Sequence, residues 1–483
     1  MFIINWGEIE QRIDPKYYTV EKRSFYEKIK KCVGLTKLKN VIKTGTYGIL
    51  PPGDCYSPYN PVKLIRATEM KEDLKIDYDS AFKVPEKYAE NAKVRINNHD
   101  ILIAVKGATI ASNKSICYAE KAEENSIVNG SVFKFSVHEA INSKYIAYLL
   151  SLDILKKQMK YQLVANNAVD YLDKKILGNL HLILPKPTVQ EHIVKILDEA
   201  HEIKRQKLEE SNKLLDSIND YLLSALGVNL PLDGLNSLSN RLFYVQANNL
   251  LGGRFDPRKY SKKYKNILDA IQSVKCDKTA LKNIIAENIS GDWGLDDTAE
   301  DPDLISCLTI RGTEFDNKFN LNLDNNRTKF RKYKKASFNK IELNEKDILI
   351  EKSGGSEDQP VGRVAFIEKD MLDNYPLAFS NFIHRIRIDD KKAVSEYVFE
   401  YLRLMHNIKI TEVMQTQTNG IRNLIMQEYF TQTILLPEAK KQEEIAIHAA
   451  KMRKRAFELQ KEAEKIVSDA KIKVQKMLLE DEQ

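Results

Sequence analysis

LPKPTVQEHI at residues 184–193 and LPEAKKQEEI at residues 436–445 are two spellings of one phrase. Each opens a stretch free of glycine and proline, from about Thr188 to Leu226 in the first case and from about Ala439 to Met477 in the second. A proline break followed by so long an uninterrupted run predicts a helix, and Gly227, Pro231 and Gly234 close the first one as helix terminators do. At 1.5 Å per residue that helix measures about 58 Å. The second run carries a heptad. Ile445, Met452, Leu459 and Ile466 recur every seven residues, with Ala449, Ala456, Ala463 and Ala470 interleaved. This 4-3-4-3 spacing is a coiled-coil signature, and alanine on the seam lets a partner approach closely. An alanine-rich surface helix would read the same way. The first run offers Ile193, Leu197, Ala200, Leu214, Ile218 and Ala225 on the corresponding face. Each helix therefore finds its simplest partner in the other, packed antiparallel within one chain.

The paired phrases belong to a wider repeat. Arg12-Ile13-Asp14-Pro15-Lys16 recurs as Arg254-Phe255-Asp256-Pro257-Arg258, and Gly45-Thr46-Tyr47-Gly48 aligns with Gly291-Asp292-Trp293-Gly294. Ile65-Arg66-Ala67-Thr68-Glu69 matches Ile310-Arg311-Gly312-Thr313-Glu314. Asp100-Ile101-Leu102-Ile103 matches Asp347-Ile348-Leu349-Ile350, with Gly107 meeting Gly354. Ser143-Lys144-Tyr145 meets Ser395-Glu396-Tyr397, and Asn167 meets Asn419. Single matches are weak, but these keep one order while the offset drifts only from 242 to 252 residues. The chain is two diverged copies of a unit of roughly 240 residues. In each copy short apolar runs (Ile101–Val105, Ile348–Ile350) and alternating stretches (Val132–Val137, Phe382–Ile388) predict strands. Short helices are expected near Ser143–Leu152 and Ser395–Met405. The fold class expected is α/β: two repeated mixed α/β globular domains separated by two long antiparallel, coiled-coil-like helices, with pseudo-two-fold symmetry. The expected divisions are residues 1–186 and 228–437 for the globular parts, and 187–227 and 438–483 for the helices.

Composition narrows the function. A chain of 483 residues with 43% hydrophobic content has ample material for a core, which excludes bulk disorder. The formal net charge of +7 permits nucleic-acid binding without requiring it. No apolar run is long enough to span a membrane, and acids stand where a signal peptide would be basic, so a cytoplasmic protein is expected. The five cysteines are scattered and form no Cys-x-x-Cys pair, and the histidines follow no metal-ligand spacing. His192 and His448 read as solvated helix residues. No metal and no cofactor are expected. Phosphate-binding glycine loops, the Asn/Asp-Pro-Pro-Tyr/Phe methyl-transfer motif and Gly-x-Ser-x-Gly are all missing. Asp347 with Glu351-Lys352-Ser353 approaches a nuclease pattern at the wrong spacing, and Asp347 reads instead as a turn residue that starts a strand.

What remains suits a binder. Loops after the repeated strands carry Lys106, Thr109, Ser112, Asn113, Lys114, Asn166 and Asn167 in the first copy. Their counterparts in the second copy are Lys352, Ser353, Ser356, Gln359, Arg363, Gln415, Gln417, Asn419 and Arg422. Asn, Gln, Arg and Lys make paired hydrogen bonds to base edges, while Ser, Thr and Lys hold phosphates. As candidate DNA-binding residues we select Lys106, Thr109, Asn113, Lys114, Asn166, Asn167, Lys352, Ser353, Arg363, Gln417, Asn419 and Arg422.

Taken together, the Arg-x-Asp-Pro starts, the Gly-Asp-Trp-Gly turn, the two Asp-Ile-Leu-Ile strands and the Leu-Pro-…-Gln-Glu-x-Ile helix entries resemble the specificity (S) subunit of type I restriction–modification enzymes. The resemblance spans essentially the whole chain. It implies two target recognition domains that each read half of a split site in double-stranded DNA. It also implies helices that set the gap and dock methyltransferase subunits, two of them by the pseudo-symmetry, with restriction subunits joining through the complex and no membrane partner. The family subunit is not itself catalytic. Two other readings stay open: an orphan specificity-type scaffold serving another defence system, and a nuclease with an unrecognised site.

Overall fold

The computed structural model describes residues 19–163, 171–231, 242–250, 254–316, 319–325, 328–355, 359–418 and 420–480. Arg12–Lys16, the first member of the earliest repeat pair, lies outside them. The chain forms two compact units, residues 1–208 with 460–483 and residues 209–459. Both units therefore include part of each long helix.

The first unit holds strands β1 (Leu35–Lys37), β2 (Ile42–Tyr47), β3 (Val62–Ile65), β4 (Phe82–Val84), β5 (Ile101–Ala104), β6 (Ile116–Tyr118), β7 (Ser126–Val128), β8 (Val132–Val137) and β9 (His181–Ile183). They pair as β1-β9, β2-β8-β5-β6 and β4-β3-β7. The second unit holds β10 (Asp277–Ala280), β11 (Ile285–Ser290), β12 (Leu304–Ile310), β13 (Lys329–Lys334), β14 (Ile348–Glu351), β15 (Ser353–Gly355) and β16 (Val364–Phe366). It continues with β17 (Leu377–Phe379), β18 (Ile383–Ile388), β19 (Gln415–Thr418), β20 (Ile421–Leu424) and β21 (Thr433–Leu436). Its sheets β10-β21, β11-β18-β14-β16 and β13-β12-β17 repeat the first unit's orders, and β15-β20-β19 is an additional small sheet. The internal repeat is thus a repeat of topology.

The central strands read as unbroken apolar runs because both of their faces are covered. Ile101 and Ile103 of β5 join one core cluster while Leu102 and Ala104 join another. In β14, Ile348 and Ile350 divide from Leu349 in the same way. A strand with one wet face would alternate instead.

The repeated polar residues lock this frame. Asp100 and Asp347, both buried, each accept a hydrogen bond of 2.7 Å from the backbone N–H three residues earlier. Asp100 then pairs with Lys134 of β8 at 2.9 Å, and Asp347 with Arg387 of β18 at 2.8 Å. Glu69 and Glu314 close matching turns by accepting from the backbone N–H of Arg66 at 2.8 Å and of Arg311 at 2.7 Å. Tyr145 and Tyr397 donate to the Ile183 and Leu435 carbonyls. Gln190 and Gln442 each donate to the proline carbonyl five residues back, at 2.8 Å. Buried polar groups must find such partners, so these residues recur where the surface diverges.

Register alters one sequence match. Gly48 N donates to Val132 O and Gly291 N donates to Ile383 O, at equivalent places. A Cβ on either glycine would strike backbone, Val128 O in one unit and Phe379 O in the other. Gly48, and not Gly45, is the partner of Gly291. Tyr47 accordingly matches Ser290, three residues from the alignment of Tyr47 with Trp293.

The long helices span Pro187–Leu226 and Ala439–Glu480. In the first unit they run antiparallel: Lys204 pairs with Glu464 at 3.2 Å and Lys207 with Glu462 at 2.6 Å. In the second unit the Tyr221 and His448 rings lie 4.2 Å apart, and His448 is exposed on its helix as expected. Ile193, Leu197, Ala200 and Ile218 are buried as expected, whereas Leu214 and Ala225 are half-buried beside fully buried Leu222. Ile445, Ala449, Ala456, Leu459 and Ala463 form the buried seam, but Val467 then replaces Ile466. A helix of 3.6 residues per turn drifts about 20° per heptad, and after three heptads the inward position slips by one residue. Among the described residues no helix is long and apolar enough to cross a membrane.

Candidate nucleic-acid interface

Beyond β5 and β14 the chain turns at Gly107 (φ +77°) and Gly354 (φ +113°), a left-handed conformation that side chains disfavour. The same backbone bonds hold both turns. Val105 N donates to Ser131 O at 2.9 Å, and Lys352 N donates to Phe382 O at 2.9 Å. Leu172 N donates to Val105 O at 3.0 Å, and Leu424 N to Lys352 O at 2.7 Å. Lys106 consequently bridges Tyr171 while Ser353 pairs with Asn423 in β20.

In the second unit this turn and the β19–β20 hairpin gather several selected residues. Arg422 faces Gln417 across the hairpin and Gly355 on the other side, and its side chain makes no hydrogen bond or ion pair with a described residue. Ser353 Oγ donates to Asn423 Oδ1 at 2.7 Å. Lys352 Nζ donates to Ser290 Oγ at 2.9 Å and Asn381 Oδ1 at 3.3 Å, and burial lowers its pKa. His384 stands between Ser290 and Asn288 at 3.2 Å from each, and burial, then Lys352 and Arg385, push its pKa down to about 4. Trp293, half-exposed, meets the Phe382 ring edge-on at 4.9 Å.

The hairpin's base is anchored by the Arg-x-Asp-Pro segment. Arg254 Nη2 donates to the Val413 carbonyl and to Asp256 Oδ2, each at 2.6 Å, just before β19. Lys259 pairs with Glu428 at 3.2 Å, just after β20.

The first unit gathers fewer of its selected residues. Lys106 is exposed and holds its ammonium 5.6 Å from the centre of the Tyr171 ring, which lies over Tyr47 at 6.5 Å. Thr109 is half-buried, its carbonyl accepting from Ser112 Oγ. Asn113 is exposed, with Oδ1 accepting from Lys156 Nζ at 2.7 Å, and Lys114 is exposed beside it. Asn166, Asn167, Ser356 and Asn419 lie outside the described residues.

Arg363 and Gln415 are interior residues. Arg363, 5% exposed, forms a two-pronged pair with Glu351 at 2.8 and 2.7 Å and donates to the Phe315 and Gly312 carbonyls. Its charge is spent inside the unit, so as a DNA contact it is withdrawn. The same pair occupies Glu351, the centre of the near-nuclease pattern. Gln415 donates to the Val361 and Thr411 carbonyls from a buried position. Tyr171, Asn423, Ser290 and His384 were missed, although the repeat offset of 252 residues sets Tyr171 opposite Asn423. Among the described residues no three His, Cys, Asp or Glu converge as metal ligands, and all five cysteines are free.

The family model described as "Type I restriction modification DNA specificity domain" matches residues 35–213 and 313–466. No curated protein matches the chain. Among solved structures, the type I restriction–modification S subunit from M. genitalium is 12% identical, with 92% of this chain and 95% of that one covered at a TM-score of 0.41. A chain from a study of type I R-M complex assembly and conformational transition is 13% identical, with 92% and 96% covered at 0.48. The HsdS subunit from Thermoanaerobacter tengcongensis is 12% identical, with 92% and 96% covered at 0.36.

Proposed function

The chain belongs to the family of type I restriction–modification specificity subunits, non-catalytic DNA-recognition components, and on that premise we propose that it reads a two-part site in double-stranded DNA, one recognition domain per half. Residues 1–186 and 228–437 are the recognition domains in this reading, and residues 187–227 and 438–483 hold the spacing. One observation carries it: a register-matched backbone frame occurs twice, and each copy presents different polar side chains at its glycine turn. An unmatched polar surface would have no reason to repeat its frame. Lys352, Ser353, Gln417 and Arg422, together with Asn419, read the second half-site. Lys106, Thr109, Asn113 and Lys114, with Asn166 and Asn167, serve the first.

The faces of the long helices turned away from their buried seams are rich in Lys and Glu. We propose that they dock two methyltransferase subunits and, through that complex, restriction subunits. Membership in a non-catalytic family sets the nuclease alternative aside.

Selection of a random duplex library by the purified full-length chain, alone and with a type I methyltransferase subunit, tests the reading. The expected consensus is two defined blocks separated by an undefined spacer of fixed length. A single uninterrupted block, or no enrichment in either form, would overturn it. Affinity purification separates the orphan-scaffold alternative, which would recover no subunit bearing an Asn-Pro-Pro-Tyr-type motif.

A further inference from the structure

Leu50 and Trp293 occupy one position in the two copies. The backbone bonds that match Gly48 with Gly291 continue by one residue: Ile49 N donates to Val128 O at 3.1 Å, and Asp292 N donates to Phe379 O at 3.1 Å. Leu50 and Trp293 come next, on the loops that leave β2 and β11. Each is a large apolar side chain turned to solvent, Leu50 being 69% exposed and Trp293 49%. A single exposed apolar residue needs no explanation. Two at one register position do, because the residues around them have diverged.

Each also borders the glycine turn of its own unit. Leu50 lies over Gly130, where a Cβ would come within 2.9 Å of the Leu50 Cγ. The adjacent Ser131 O accepts from Val105 N, two residues before Gly107. Trp293 meets the Phe382 ring edge-on at 4.9 Å, and Phe382 O accepts from Lys352 N, two residues before Gly354. The turn that carries Trp293 is fixed in turn: Gly294 has a φ of +61°, and its N–H donates to Asp292 Oδ1 at 3.2 Å. Both side chains are thus backed on one side and open on the other, next to the turn that holds Lys106 in one unit and Lys352 in the other.

We propose that Leu50 and Trp293 are matched apolar contacts to DNA, each packing on the C5-methyl group of a thymine in the major groove of its half-site. The assignment rests on the DNA-reading function proposed above and adds a kind of contact that its polar side chains do not supply. Amides, guanidinium and ammonium groups read the hydrogen-bonding edges of bases, whereas the thymine methyl is met by an apolar side chain. Backed by Gly130 and by Phe382, the two residues present an edge for packing rather than a free wedge for insertion between base pairs.

Deoxyuridine pairs as thymidine does but lacks the methyl group, so it isolates the contact. The full-length chain, in whichever form selects a split site, is titrated with its selected duplex and with duplexes carrying uracil in place of each thymine in turn. One uracil in each half-site should weaken binding by about fourfold, the worth of one buried methyl group. In Leu50→Ala that loss should vanish in one half-site and persist in the other, and in Trp293→Ala the reverse. No effect of uracil at any position would overturn the inference, and an effect that survives in a variant removes the altered residue from the assignment. Insertion between base pairs would appear as an equal loss for every sequence in the variants, with a straighter bound duplex. A protein contact would appear as loss of the methyltransferase subunit with the uracil effect retained. Either outcome overturns the thymine contact. Failure of the unaltered chain to select a split site would instead overturn the function on which the inference rests. Should Trp293→Ala not fold, Leu50→Ala, at the more exposed of the two side chains, decides for the shared position.

Discussion

At the scale of single residues, burial separates side chains that sequence treats alike. Arg363 and Arg422 are both arginines in polar loops of the second copy. One is locked to Glu351 in the interior, and the other stands half-buried on a small sheet, its side chain without a polar partner among the described residues. Arg422→Ala should therefore leave the unfolding midpoint nearly unchanged. Its expected effect on DNA is a loss of about 1–3 kcal/mol at one base position if it pairs with guanine. A uniform loss across sequences identifies a phosphate contact instead, and unchanged binding removes Arg422 from the interface. His384 makes a pH prediction. Its pKa is about 4 in the folded state against an ordinary value near 6.5, so as pH falls below 6.5 the unfolded chain binds the extra proton first. Stability is full above that value, declines down to about pH 4 and declines no further from this group below it, the loss being roughly 3 kcal/mol at most. His384→Phe, which copies Phe133 at the matched position, should flatten this slope in urea midpoints measured across that window. His406, also pushed down to about 4 by burial and then by Arg363, keeps part of it. An unchanged slope would show that His384 titrates normally.

At the scale of elements, the long helices are set by absence of breakers and by heptad spacing, both legible in sequence. Their ends fall at Pro187 and Leu226, and at Ala439 and Glu480, within a few residues of the expected limits. What sequence misjudged is the far end of the seam, where Val467 turns inward in place of Ile466 because a straight helix does not keep a 3.5-residue period. If the helices set the spacer, inserting seven residues into both, near Lys207 and Lys461, lengthens each by about 10 Å. That equals about three base pairs at 3.4 Å each, so the undefined spacer should grow by that amount with both blocks unchanged. A two-residue insertion should instead lower the unfolding midpoint, because it rotates Ala449, Ala456 and Ala463 out of their buried positions. An unaltered spacer in a fully active seven-residue variant would show that the helices do not measure the distance.

At the scale of the whole molecule, duplication of one topology predicts modularity. Replacing the region from the first repeat start to Pro185 with that of another family member should change one block of the methylated site and spare the other. Simultaneous change of both blocks in sequenced methylation products would contradict the two-domain reading. The sequence by itself determined the repeat, the mixed α/β class, the two helices and the polar frame. Those features depend on local periodicity and on residues such as Asp100, Asp347, Gln190 and Gln442, whose buried bonds permit few substitutes. Only tertiary structure decided that Gly48 matches Gly291, that Arg363 faces inward and that Lys106 meets Tyr171. Each of these depends on which strand lies beside which and in what register. That pairing is non-local, and a slip of one residue would turn every side chain to the opposite face.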